Sequence, residues 1–183
     1  NVSNKIIGDR SFSKDPKIVS VIGDICIKFF HNYNIGTVIK HIPGHGLAKV
    51  DSHKSTPKVN VKLRYLLKND FFTFKDKKSL FAMTAHIIYN DIDKLNTATH
   101  SKKIINIIRK KIKYKNLIMT DDISMKSLKY NIKENTLRAF NAGCNLVMYW
   151  NGNYKEMLDV EKNSQIVDKF IIKKTSEFYN VLS

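Results

Sequence analysis

"SKKIINIIRKKIKYKNLIMTDD", Ser101 to Asp122, changes character once along its length. The first twelve residues, SKKIINIIRKKI, read as an amphipathic helix, and NLIMTDD reads as a short apolar strand ending in two carboxylates. The same order recurs on both sides. Upstream, Asp15 to Tyr33 has helical spacing of Ile18, Ile22, Ile25 and Phe29, with Asp15 as N-cap and Pro16 at the first helical position. The β-branched run TVIKHI follows it, then a helix over Val59 to Phe74, then the apolar strand SLFAMTAH. Downstream, Lys133 to Asn141 reads as a helix closed by Ala142-Gly143, NLVMYW as a fourth strand, and Lys155 to Leu182 as helical. Near-continuous apolar strands alternating with amphipathic helices predict parallel βαβ units, hence an α/β sheet or a segment of a barrel.

Each expected strand ends in polar or reactive residues: Lys40 and His41, then His86, then Asp121 and Asp122, then Trp150 and Asn151. In parallel α/β folds the ligand site lies beyond the carboxyl ends of the strands, so the four ends point to one site.

The bulk numbers bound what that site serves. A chain of 183 residues with 43% apolar residues supplies one ordinary core, and a single domain over 1–183 is expected. No apolar run of membrane-spanning length occurs, and the first residues, NVSNKIIGDRS, have no apolar signal segment, so the cytoplasm is the expected compartment and no membrane partner is expected. The absent initiator Met is read as a start inside a longer frame, or as trimming. The net charge of +16 rests on 28 Lys and only four Arg, spread among Asn, Ile, Tyr and Phe. Such a spread reads as a solvated surface, and no nucleic-acid partner is expected. Cys26 and Cys144 sit in apolar segments and are read as buried thiols.

The segment Ile39 to Ser55, IKHIPGHGLAKVDSHKS, concentrates the chemistry. PGHG lacks the Lys-Ser/Thr pair of a phosphate loop. His41, His45, His53, His86 and Asp51 have the atoms for a metal site, but no HExxH spacing, and neither metal nor cofactor is expected. In DSH, Asp51 and His53, separated by one residue, are a carboxylate–imidazole pair suited to acid and then base work, with Gly44 and Gly46 as hinges upstream. Asp121, at a strand end, is a candidate nucleophile toward electrophilic carbon. Arg10, in GDRSFSKDP before the first helix, has the planar donors to clamp ligand oxygens. Each of these residues also has a plainer role open to it, in capping, in surface pairing or in simple exposure.

Together, IGDRSFSKDP, IKHIPGHG followed by VDSHKSTP, MTAHIIYNDID, LIMTDDISM and RAFNAGCNLVMYW resemble, in order, the bacterial β-N-acetylhexosaminidases of glycoside hydrolase family 3 that recycle peptidoglycan in the cytoplasm. The resemblance runs from about Ile7 to Trp150. It implies retaining hydrolysis of terminal β-linked N-acetylglucosamine in a muropeptide-like substrate. It makes Asp121 the nucleophile, His53 the acid/base with Asp51 as its dyad partner, and Arg10, Lys40 and His41 the sugar-binding residues, while Asp122 and His86 receive no definite role. A full (β/α)₈ TIM barrel needs roughly 250 residues. The expected fold is therefore a partial barrel, the C-terminal half with strands 5 to 8 and their helices. A separate N-terminal half-barrel chain or self-association would complete it. The rival readings are an inactive remnant, a basic binding protein and, less favoured, a metal-dependent hydrolase.

Overall fold

The computed structural model describes Gly8, residues 11–48 and residues 55–183. Four strands form one wholly parallel sheet: β1 (Val38–Ile42), β3 (Phe81–Thr84), β5 (Leu117–Asp122) and β6 (Leu146–Met148), in the spatial order β1-β3-β5-β6. Spatial order follows chain order, with no reversal of winding. A doubly wound sheet would turn back on itself at a switch point. A second, two-stranded parallel sheet pairs β2 (Lys58–Val59) with β4 (Ile88–Tyr89) just past the carboxyl end of β3.

The helices are α1 (Pro16–Asn32), α2 (Leu63–Lys68), α3 (Lys102–Lys110), α4 (Ile132–Ala142), α5 (Tyr154–Lys162) and α6 (Lys169–Leu182). The start of α1 follows the sequence reading: Asp15 accepts the Lys17 N–H at 2.8 Å and Pro16 opens the helix. In α3, Ile104, Ile105 and Ile108 are buried, and the Ser101 hydroxyl accepts the Ile104 N–H. Asn131 caps α4, which ends at Gly143 in the left-handed region with φ 109°. A Cβ there would also stand 3.1 Å from Ile105, so both conformation and space call for glycine.

Three expectations need correction. The single helix over Val59 to Phe74 is instead β2, α2 and a 3₁₀ turn at Phe71–Phe74. The start of α2 is capped from a distance, because the Asp91 carboxylate accepts both the Leu63 N–H and the Lys62 ammonium. The tail is likewise two helices, with a break over 163–168. In α1 the helix is as expected, but the face is not: Ile25 is 60% and Phe29 57% exposed, while Ile27 is the buried residue. The helix packs on the Phe71–Phe74 turn and on α6, which leaves the Ile18, Ile25 and Phe29 side open.

The main core lies between the sheet and the helices, with Ala82, Ile104, Ile108, Ile112, Ile118 and Ala139 at its centre. At the amino ends of the strands Arg109 donates to the carbonyls of Tyr114 and Asn116 and to the Asn145 side chain, tying α3 to the starts of β5 and β6. Among the described residues β1 and β6 each lack a pairing strand on their outer side. No helix of the described residues is long and apolar enough to cross a membrane. Cys144 is buried and its thiol is pushed up to about 12 by burial, whereas Cys26 is only half-buried.

Candidate active site

The carboxyl ends of β1 and β5 bring two of the expected site residues together. His41 Nε2 lies 3.4 Å from Asp121 Oδ2. In β1 the pairing with β3 runs Lys40 to Met83 and then Ile42 to Thr84, so His41 is the extra residue of a bulge. A bulge re-aims a side chain that regular alternation would send to one face. The Lys40–His41 and Ile42–Pro43 peptides are both cis. Lys40 is exposed at the same strand end.

Asp121 is only slightly exposed, and its other oxygen, Oδ1, accepts the Asp122 N–H at 2.9 Å. Burial holds the His41 imidazole down at about 4, against the pull of Asp121 in the other direction, with His45, Lys40 and His86 adding to the lowering. Near neutral pH His41 therefore meets Asp121 as an uncharged imidazole. An uncharged imidazole places no cation against the Asp121 side chain.

Asp122 has structural work. Its Oδ1 accepts the N–H groups of Ser124 and Trp150, both at 3.1 Å, and its Oδ2 accepts the Ser124 hydroxyl at 2.6 Å. It thus fixes the turn after β5 and ties it to the end of β6. His86, almost fully buried at the end of β3, supports the same backbone. The Asp122 carbonyl can only accept, so His86 Nε2 carries the proton of that 3.0 Å bond. In the neutral imidazole Nδ1 then accepts the Thr99 hydroxyl at 2.7 Å, and Thr99 is in turn 2.8 Å from the Thr84 hydroxyl. The sequence reading gave Asp122 and His86 no definite role. Both hold the backbone that follows Asp121.

A cavity of about 390 Å³ opens between the first turn of α1, residues 44–47 and the Leu63–Phe74 segment, and Lys14, Lys40, His41, His45 and Asp70 contribute to its walls. Gly44 and Gly46 were expected as hinges. The structure gives them a different reason, since a Cβ on Gly44 would stand 2.8 Å from Asp70 Cβ and one on Gly46 3.0 Å from Asp70 Oδ1. Close packing by Asp70, which the sequence reading passed over, excludes larger residues there.

Three of the expected residues, Arg10, Asp51 and His53, lie outside the described residues. The segment holding the last two is entered and left at fixed points. On one side Tyr89 donates its hydroxyl to the Gly44 carbonyl, and Ala48 N donates to the His45 carbonyl. On the other, the Thr56 hydroxyl donates to the Ser127 carbonyl at 2.6 Å and Pro57 O accepts from Ile88. Among the described residues no group of three or more His, Cys, Asp or Glu side chains is placed to hold a metal ion.

Known proteins resemble the chain in sequence and in fold. The chain is 32% identical over 153 residues to a β-hexosaminidase of Haemophilus influenzae, covering 80% of this chain and 44% of that protein. It is 28% identical over 193 residues to a β-hexosaminidase of Photobacterium profundum, covering 97% and 56%. The crystal structure of NagZ from Neisseria gonorrhoeae superposes with a TM-score of 0.83 at 26% identity, over 94% of this chain and 51% of that one. The chain thus spans about half the length of the curated relatives it matches. Residues 1–178 match the N-terminal domain of glycosyl hydrolase family 3, and with that match over a parallel α/β sheet the chain belongs to this family.

Proposed function

We propose that the chain forms the catalytic half, strands 5 to 8, of a (β/α)₈ barrel that hydrolyses terminal β-linked N-acetylglucosamine with retention of configuration. The observation that carries this reading is the approach of His41 to Asp121 at the carboxyl end of the sheet. Arg10, Lys40 and His41 bind the sugar. An Asp121 oxygen attacks the anomeric carbon as the bond to the leaving oxygen breaks, and His53, paired with Asp51, gives that oxygen its proton. Water then attacks the same carbon, His53 takes a proton from it, and the Asp121 carboxylate is released. A muropeptide-like glycan in the cytoplasm is the substrate proposed.

The edges of β1 and β6, unpaired among the described residues, with the apolar side of α1, support a partner that completes the barrel, either a separate N-terminal half or a second copy. The test is hydrolysis of an aryl β-N-acetylglucosaminide by the 183-residue chain, alone and with an N-terminal half-barrel supplied. Turnover in either arm that Asp121→Ala abolishes supports the reading. No turnover in both arms contradicts it.

A further inference from the structure

The turn that follows His41 rests on a carboxylate for which the proposed chemistry has no use. Asp70, between α2 and the Phe71–Phe74 turn, accepts the Leu47 backbone N–H. Its side chain lies so close to Gly44 and Gly46 that a Cβ on either would meet it at 2.8 and 3.0 Å. Its Oδ2 is buried with no hydrogen-bond partner among the described residues. Burial pushes the Asp70 carboxyl above the usual carboxylate range, and its charge adds to the rise in the buried Tyr89 phenol that holds the Gly44 carbonyl. A carboxylate with one oxygen unpaired is costly to bury. An apolar side chain in its place would instead leave the Leu47 N–H without its acceptor.

We propose that Asp70 is a positioning residue for the Lys40–His41 strand end: by accepting from Leu47 and filling the space over Gly44 and Gly46 it fixes the 43–47 turn, and through that turn holds His41 Nε2 against Asp121. Asp70 acts through backbone and touches no reacting atom. Its effect on turnover rests on the reading of Asp121 as the nucleophile, whereas its effect on His41 does not.

The experiment compares Asp70→Asn with Asp70→Ala in the full 183-residue chain. Asn keeps the shape and one acceptor for Leu47, and Ala keeps neither. Two quantities are read: the midpoint of the His41 imidazole titration by NMR, and kcat/KM on an aryl β-N-acetylglucosaminide. In Asp70→Ala the His41 midpoint rises from about 4 toward 6.5 as the ring gains solvent, and kcat/KM falls on the order of tenfold or more. Asp70→Asn keeps both near wild type. An unmoved His41 midpoint in Asp70→Ala, or an Asn variant that behaves like Ala, overturns the proposal. Should Asp70→Ala fail to fold, Gly44→Ala displaces the same contact from the other side and must raise the His41 midpoint; an unchanged midpoint there overturns it equally. If the wild-type chain hydrolyses nothing, either alone or with an N-terminal half-barrel supplied, the hydrolase reading fails, and the His41 titration alone decides the role of Asp70.

Discussion

His41 Nε2 and Asp121 Oδ2 are 3.4 Å apart although they come from β1 and β5, which have β3 between them. Two strand spacings amount to roughly 10 Å. Each is the penultimate residue of its strand and sits where the pairing is irregular, His41 in the bulge of β1 and Asp121 between the paired residues Met119 and Asp122 of β5. The two residues thereby gather the chemistry of separate βα units at one point.

His53 is tested by leaving group. With it as the acid, His53→Ala slows aryl glycosides with poor leaving groups most, and those with good ones least, because only the former need a proton as the bond breaks. A plot of log kcat/KM against leaving-group pKa steepens in the variant. An equal loss across the series removes His53 from that role.

Asp122 is expected to matter for stability and position. Asp122→Ala strips the acceptor from Ser124 N, Ser124 Oγ and Trp150 N, at a cost of roughly 2–4 kcal/mol in urea unfolding. Asp122→Asn retains an acceptor and costs less than half of that. Unfolding curves of the two variants beside wild type decide it.

Acid should destabilise the fold through two imidazoles. His41 and His100 are both held down to about 4, His100 by burial first and then by His86 and Arg138. Their folded values lie below the unfolded 6.5, so the unfolded chain binds protons that the folded one refuses. Stability is full above about pH 6.5 and is lost as pH falls toward 4, by on the order of 3 kcal/mol for each imidazole. Asp70, raised by burial, opposes part of that loss once it protonates. Urea midpoints measured from pH 7.5 to 4.5 should fall steadily, and His100→Gln should flatten the slope.

The outer side of α1 is expected to serve association, not folding. Phe29 is 57% exposed, and among the described residues its ring meets the rings of Phe30 and Tyr33. Phe29→Glu should leave the melting temperature of the isolated chain within a few degrees of wild type. It should weaken capture of an N-terminal half-barrel, or self-association, as measured by sedimentation. Unchanged association places the closing surface elsewhere.

Local signals were legible where the cause is local. Asp15-Pro16 marks the start of α1, Gly143 marks the end of α4, and the apolar run before Asp121 marks β5, because capping, left-handed φ and burial on both faces each leave a trace within a few residues. What stayed hidden depends on groups far apart in the chain. The Asp91 cap on α2, the pairing of Lys58–Val59 with Ile88–Tyr89, and the packing of Asp70 over Gly44 span 26 to 30 residues. The apolar spacing of α1 correctly reported a helix, yet could not report what its apolar side faces. In the candidate site Lys40, His41 and Asp121 were legible as strand-end residues. Asp122 and His86 looked equally reactive, and their hydrogen bonds, formed across up to 36 residues, show that both support backbone.

The central claim, that Asp121 is the nucleophile of a retaining hydrolysis, is tested most directly by trapping. The chain, with an N-terminal half-barrel supplied, is incubated with a 5-fluoro N-acetylglucosaminyl fluoride, which forms the glycosyl-enzyme faster than water removes it, and the labelled peptide is sequenced by mass spectrometry. The account predicts one sugar attached at Asp121 and none in Asp121→Asn. A label on another residue, or none in a preparation that hydrolyses the aryl glycoside, would contradict it.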